Sequence, residues 1–194
     1  MRLVLKCLIV MMLSLASFAS FATQDKTSFY QHFQNAKFVD QHGKPFSSSQ
    51  LEGKIVLFNF IFTQCSTVCP VQINALNQVK QSLPPLLKTK VQFVSVSLDP
   101  MHDTPKVLNT FAKRMNVDMN GWTFMTGDFD SVQLLIDRLR LFGHPEQAKK
   151  AKLPDDHSTN IWLIDQKGRL MQRYAGSPLD VKRVSKEIEQ LNDL

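Results

Sequence analysis

The sequence predicts an α/β domain with a mainly parallel central sheet. Two runs of apolar, β-branched and aromatic residues, at 55–62 and 91–98, are typical of strands that are buried on both faces. Segments with the apolar spacing of amphipathic helices lie between the predicted strands, and this alternation indicates a parallel core. The chain has 194 residues, of which 43% are hydrophobic. This length and composition suffice for one well-packed domain.

The first 22 residues are predicted to be a targeting segment. Arg2 and Lys6 precede an apolar stretch at 7–15, and small residues follow up to Ala22. This order is typical of a secretory signal peptide, and an uncleaved N-terminal anchor is the alternative. We therefore expect a periplasmic protein, attached to the inner membrane only if the segment is retained. A disulfide can persist in such an oxidising compartment.

The N-terminal half of the mature chain is predicted to hold a hairpin, a strand and a helix. Residues 23–36 are expected to be a flexible lead-in to a domain that spans residues 37–194. Two short apolar pieces surround a His-Gly turn at 37–46 and predict a β-hairpin. After the first buried strand, Pro70 is expected to begin a helix, and the pair at 84–85 is expected to stop it.

The C-terminal half continues the alternation of strands and helices. Thr104 and Pro105 have the N-cap and first-turn signature of a helix that runs to about Met115. The segments predicted after it are a strand at 122–125, a helix at 131–141, a hairpin at 159–165 and 169–174, and a helix at 178–194. This order is that of a thioredoxin-like three-layer fold with a central mixed sheet and an N-terminal hairpin. In that fold the last hairpin runs beside the first core strand.

The basic excess of the chain is weak. The sequence has 23 basic and 17 acidic residues, a formal net charge of +6. The basic residues are scattered, with only short pairs such as Lys182 and Arg183. A charge distribution without a basic patch argues against a nucleic-acid partner.

Two thiols are predicted to lie where the first buried strand gives way to a helix. Cys65 and Cys69 are the only cysteines outside the first few residues, and Pro70 follows the second. Because proline favours the first helical position, we expect Cys69 at the N-cap and Cys65 in the preceding loop. Helix N-termini favour thiolates, the form that both redox chemistry and Cu(I) binding need. The alternative is a purely structural disulfide or a pair of inert buried cysteines.

His157 is the histidine best placed to join the two thiols. It ends a long polar loop and comes just before the strand that is expected to run beside the first core strand. A third ligand would make a two-thiolate site more selective for copper, although spacing alone leaves an incidental loop histidine open. Four other histidines are expected to be surface or loop residues: His32, His42, His102 and His144. The methionines form no Met-x-x-Met cluster and are expected to serve packing.

The segment 62–70 resembles the Cys-x-x-x-Cys-Pro motif of the Sco/SenC family. Three further segments are similar to family signatures in the same order, at 95–105, 127–128 and 156–168. The resemblance covers the chain from Phe38 to its C-terminus. At two positions where many members have a proline and an acidic residue, this chain has Ser66 and Thr67.

The resemblance implies a thioredoxin-like fold and a copper site for Cu(I) and Cu(II). It places the copper ligands at Cys65, Cys69 and His157, and makes the two cysteines a redox dithiol. It implies delivery of copper to, or reduction of, the copper-site subunit of cytochrome c oxidase, or an equivalent role toward another periplasmic redox or copper protein. Three residues are possible supports for the ligands: Asp99, His144 and Asp156.

Other functions stay open from the residues alone. In a thiol-disulfide oxidoreductase or redox sensor with incidental copper binding, one low-pKa cysteine would attack a partner disulfide and the other would resolve the product. A peroxiredoxin-like peroxidase would need an activating arginine, and none can be assigned. A secreted interaction module with a structural disulfide is a third alternative.

Overall fold

A seven-stranded mixed sheet forms the centre of the part of the chain that the structure describes. The structure is a computed structural model that describes residues 28–139, 141 and 159–193. The strands are β1 (Phe38–Asp40), β2 (Pro45–Phe46), β3 (Ile55–Ile61), β4 (Val91–Ser97), β5 (Trp122–Gly127), β6 (Ile161–Ile164) and β7 (Leu170–Tyr174). They lie in the order β2-β1-β5-β4-β3-β6-β7, and the three central strands β5, β4 and β3 are parallel to one another.

Helices cover both faces of this sheet and give the three predicted layers. Successive residues of β3 point to opposite faces, so Leu57 and Phe58 belong to different apolar clusters. The helices are α1 (Val68–Ser82), α2 (Pro85–Lys88), α3 (Pro105–Arg114), α4 (Phe129–Leu139) and α5 (Val181–Asn192), and a short 3-10 helix spans Phe29–Phe33. One cluster includes residues of α1, α3 and α5, and the other includes residues of α4 and this 3-10 helix.

The C-terminal hairpin lies beside the first core strand, as predicted. β6 pairs antiparallel with β3, with Val56 opposite Ile164 and Phe58 opposite Trp162. Because the two strands run in opposite directions, the start of β6 lies near the end of β3. That is also the end of β3 that leads into the loop with Cys65. The element order predicted from the sequence is therefore confirmed over the described residues.

The lead-in is packed over residues 28–36, in contrast to the flexible segment expected there. Phe29 and Phe33 are buried in the second apolar cluster. The Phe29 N–H donates to the Gly168 carbonyl over 2.7 Å, which ties this segment to the β6–β7 turn. Burial of two aromatic side chains offsets the entropy of ordering one short turn.

Three helices begin at residues other than those predicted, and α1 is the first of them, because it begins at Val68 rather than at Pro70. Helix α4 begins at Phe129 rather than at 131, and the Asp128 side chain accepts from the Ser131 N–H over 2.8 Å. Helix α5 begins at Val181 rather than at 178, because Asp180 is its N-cap and accepts from the Arg183 N–H. The predicted targeting segment at 1–22 and the long polar loop before His157 lie outside the described residues. Over the described residues, no helix combines the length and apolar character needed to cross a membrane.

Candidate metal and redox site

Cys65 and Cys69 lie at the junction of β3 and α1. Cys65 is in the loop that follows β3, as predicted. Cys69 is the second residue of α1, whose N-cap is Thr67, so the prediction of Cys69 as the N-cap is wrong by two residues. Pro70 fits inside the first helical turn because N–H groups there have no intrahelical partner to lose. Because Cys69 is also in the first turn, its N–H has no acceptor within the helix and points out of the helix end.

That N–H group contacts the other thiol. The Cys69 N–H donates to Cys65 Sγ over 3.3 Å. Neither Cys65 nor Cys69 is in a disulfide, and their exposed fractions are only 7% for Cys65 and 1% for Cys69. Both belong to the apolar cluster between the sheet and α1. Two sulfurs thus lie together at a helix N-terminus, largely shielded from water.

The pKa of the Cys65 thiol is lowered by its surroundings. Burial raises this pKa, but hydrogen bonds to the sulfur from the Cys69 N–H and thiol and from the N–H groups of Thr67 and Val68 outweigh it and lower the pKa overall. These donors stabilise the thiolate rather than the thiol. The site therefore favours the form of Cys65 that attacks disulfides and binds soft metal ions.

We expect the alkylation of Cys65 by iodoacetamide to titrate at lower pH in the folded chain than in the urea-denatured chain. The thiolate is the reactive form, and the hydrogen bonds that lower the Cys65 pKa exist only in the folded chain. Mass spectrometry of the Cys65 peptide after short labelling at several pH values measures this, with reductant present. Normalised pH profiles remove the effect of limited access. A folded-state midpoint equal to or above the denatured one would contradict the lowered pKa.

A buried carboxylate holds the loop that precedes Cys65. Asp103, in the connection between β4 and α3, has no exposed surface. Its carboxylate accepts from the Thr63 N–H over 3.0 Å, from Thr63 Oγ1 over 2.5 Å and from Ser97 Oγ over 2.6 Å. The start of the cysteine loop is thus joined to the end of β4. The family resemblance covers Asp103, but sequence reasoning did not identify its role.

A second residue missed by sequence reasoning is Gln72, which lies on the buried face of α1 near Cys69. Its side chain is 1% exposed and hydrogen-bonds both Asn59 of β3 and the Thr159 carbonyl. A signal was available, because Gln72 has helical spacing with the apolar residues Leu76 and Val79. A polar side chain at such a position must find hydrogen-bond partners when buried.

The structure brings together two of the three predicted copper ligands. His157, together with His144 and Asp156, lies outside the described residues. Asp99 contacts His102, whose Nδ1 lies 2.8 and 2.9 Å from the two carboxylate oxygens, and His102 is exposed. Within 28–139, 141 and 159–193, no group of three or more His, Cys, Asp or Glu side chains could hold a metal ion.

The two thiols that are present fit a soft metal ion. Sulfur donors favour soft metal ions such as Cu(I), and two thiolates can bind Cu(I) with a third donor such as imidazole. The same pair can also form a disulfide, and that reaction consumes both donors. The chemistry of the site is therefore either soft-metal binding, thiol-disulfide exchange, or both in alternation.

Comparisons with known proteins agree with these observations. The family model described as SCO1/SenC matches residues 22–193. The chain is 30% identical over 141 residues to the SCO1 protein homolog of Bacillus subtilis, covering 72% of this chain and 71% of that one. It is 28% identical over 155 residues to a Stutzerimonas stutzeri protein whose name proposes that it binds copper, covering 80% and 74%.

A solved structure is similar in fold. The chain matches BsSco, described as a member of the Sco family of cytochrome c oxidase assembly proteins in which a disulfide switch was identified. The TM-score is 0.63 at 25% identity, and the match covers 81% of this chain and 91% of that one. The predicted thioredoxin-like fold is thereby confirmed.

Proposed function

Because the chain belongs to the SCO1/SenC family, we propose that it is a copper-binding protein whose redox dithiol serves the maturation of the copper site of cytochrome c oxidase. The observation that carries the proposal is the pair of buried thiols joined by the Cys69 N–H at the start of α1. The names of similar proteins support it, since one refers to copper binding and another to cytochrome c oxidase assembly.

The proposed ligands are two thiolates and one imidazole. Cys65 and Cys69 supply the sulfurs, and His157 supplies a neutral nitrogen in the segment that leads into β6. Two sulfur donors and one nitrogen donor suit Cu(I), and an added oxygen ligand would accommodate Cu(II). Copper is the cargo in this proposal, bound until a partner with its own cysteines accepts it.

Copper binding and redox state are coupled in this proposal. When the dithiol reduces a partner's disulfide, Cys65 and Cys69 form an S–S bond and give two electrons and two protons to the partner, whose S–S bond breaks. The disulfide form then lacks both thiolate donors. Copper can therefore bind again only after an exogenous dithiol reduces the pair.

A thiol-disulfide oxidoreductase is the second candidate function. The lowered pKa of the Cys65 thiol favours it, because the burial of the sulfur is outweighed by hydrogen bonds that stabilise an attacking thiolate. In this case copper binding is incidental and the redox exchange is the activity. The disulfide switch named for a similar protein agrees with either function.

The proposed location is the periplasm. The support is the order of charged, apolar and small residues in the first 22 positions. The partner would be the copper-site subunit of cytochrome c oxidase or another exported redox or copper protein. A retained N-terminal segment would attach the protein to the inner membrane.

We expect the reduced protein to bind one Cu(I) per chain, and Cys65→Ala, Cys69→Ala and His157→Ala each to lose tight binding. Loss of an outer-shell partner typically lowers metal affinity about 10- to 100-fold. Loss of a ligand itself should lower the affinity by more than that. Competition with a chromophoric Cu(I) chelator measures stoichiometry and affinity, with loading under argon and removal of excess metal.

The matched control is His102→Ala, since His102 is exposed and contacts Asp99. This variant should bind copper as the wild type does. Wild-type affinity in His157→Ala would overturn the three-ligand site. Weak copper binding by the wild type, together with rapid reduction of a partner disulfide, would instead favour the oxidoreductase.

A further inference from the structure

A line of buried side-chain hydrogen bonds runs from the middle of the sheet to the start of β6. Trp122 Nε1–H donates to Ser95 Oγ over 2.9 Å, and the Ser95 hydroxyl donates to Asn59 Oδ1 over 2.7 Å. The Asn59 amide donates to Gln72 Oε1 over 2.8 Å. Gln72 Nε2 then donates to the Thr159 carbonyl over 2.6 Å. The four side chains are at most 1% exposed.

The direction of every hydrogen bond in this line is determined by its two ends. The Trp122 indole N–H can only donate, and the Thr159 carbonyl can only accept. The Gln72 nitrogen must therefore face Thr159, which leaves its oxygen for the Asn59 amide. Each amide has one orientation that satisfies all of its neighbours, so the line holds its members in a unique arrangement.

Gly176 covers the last hydrogen bond of the line. An ideal Cβ at this position would lie 1.9 Å from Gln72 Nε2 and 2.0 Å from the Thr159 carbonyl oxygen. The backbone of Gly176 thus packs against both the donor and the acceptor. This close packing excludes water from the bond and leaves the Gln72 amide no alternative partner there.

We propose that Gln72 is a positioning residue for the copper site. Gln72 lies on α1 one helical turn after Cys69, and Thr159 lies two residues after His157 in the chain. The hydrogen bond between them joins the helix that carries one ligand to the backbone just after another. Gln72 therefore holds the backbone at Thr159 in a fixed position relative to the helix that carries Cys69. This inference rests on the proposed ligand set.

The physical reason is preorganisation of the ligands. A ligand that is already close to its bound position loses less conformational entropy when copper binds. Without the Gln72 amide, the Thr159 carbonyl and the Asn59 amide both lose a buried partner. The backbone at Thr159 would then be less ordered in the copper-free protein. Ordering it on binding would cost free energy and so lower the copper affinity. Gln72 itself need not touch the metal.

Two substitutions separate the two ends of the Gln72 side chain. Gln72→Met keeps the approximate length but removes both hydrogen bonds. Gln72→Glu keeps an acceptor for Asn59 and removes the donor to Thr159. The matched control is Gln78→Met, because Gln78 is exposed on the same helix. Circular dichroism and urea unfolding establish which variants fold, and either Gln72 variant suffices for the test.

We expect the Cu(I) affinity of both Gln72 variants to fall about 10-fold, as for other outer-shell partners, and that of Gln78→Met to stay unchanged. In a His157→Ala background, Gln72→Met should cause no further loss, because the residue acts through His157. Backbone amides at 159–162 of the copper-free protein should exchange hydrogen faster in both Gln72 variants. Chelator competition and exchange mass spectrometry provide these readouts.

Two results would overturn the positioning role while the proposed function stands. One is wild-type copper affinity in the Gln72 variants when His157→Ala has lost binding. The other is an equal loss from Gln72→Met with and without His157, which would indicate a general structural effect. Wild-type affinity in His157→Ala would overturn the ligand set itself, and the inference with it.

Discussion

Gly176→Ala is expected to destabilise the copper-free, reduced protein by about 3 kcal/mol or more, the upper range for overpacking a buried site. The added methyl group would overlap the Thr159 carbonyl oxygen and Gln72 Nε2, at 2.0 and 1.9 Å. Thr159 is held through its backbone and Gln72 through two hydrogen bonds, so neither atom can move without breaking the bond between them. Urea unfolding followed by circular dichroism measures the change.

Gly43→Ala is the control for this substitution. Nothing lies within 4 Å of a Cβ at Gly43, but its φ of +77° is in the left-handed region, whereas Gly176 has no such strain. We expect this variant to lose about 1–2 kcal/mol, the cost of a left-handed non-glycine residue. If Gly176→Ala proves as stable as Gly43→Ala, Gly176 does not pack tightly over the hydrogen bond between Gln72 and Thr159.

The sequence predicts the order of elements well because the signals for that order are local. The buried run of β3 and the cap at Thr104 are each read from neighbouring residues, and both appear in the structure. The position of the two cysteines between β3 and the following helix is predicted for the same reason. The packed segment at 28–36 was missed because a single turn is too short to show periodicity, and its two buried aromatics find their cluster only in the folded chain.

The supporting residues of the site could not be located by spacing rules. Asp103 is 40 residues from Thr63, and Gln72 is 87 residues from Thr159. Such contacts depend on which strands become neighbours, and a change of sheet order would remove them. What the sequence does show is a polar residue in an apolar setting, such as Asn59 in the middle of β3. This pattern indicates a buried network but does not identify its members.

Two long-range connections thus converge on the dithiol from different sides. Asp103 joins the loop before Cys65 to the end of β4, and Gln72 joins the helix after Cys69 to the start of β6. One acts on the loop cysteine and the other on the helix cysteine. Since metal binding and disulfide formation both depend on how the sulfurs are placed, each connection should influence both reactions.

Asp103→Ala is expected to cost about 3–4 kcal/mol of stability and to loosen the loop that carries Cys65. The substitution leaves the Thr63 N–H and two hydroxyls without their buried acceptor, and each hydrogen bond to a charged group contributes about 1.5–3 kcal/mol. The donors left without Asp103 can partly turn toward water, so the total loss of stability is smaller than the sum of the three hydrogen-bond contributions. Urea unfolding gives the stability, and the rate of Cys65 alkylation at fixed pH reports on the loop.

Asp103→Asn tests whether the acceptor or the shape matters. An amide has nearly the same volume, and its oxygen can take the place of Oδ2, which accepts from the Thr63 N–H and from Ser97 Oγ. Its nitrogen then stands where Oδ1 accepts from Thr63 Oγ1, so that one acceptor is lost. We expect an intermediate loss of stability and faster alkylation of Cys65. Asp130→Ala is the control, since Asp130 is exposed in the first turn of α4. Equal stability of Asp103→Asn and wild type would show that the acceptor for Thr63 Oγ1 is not needed to hold the loop.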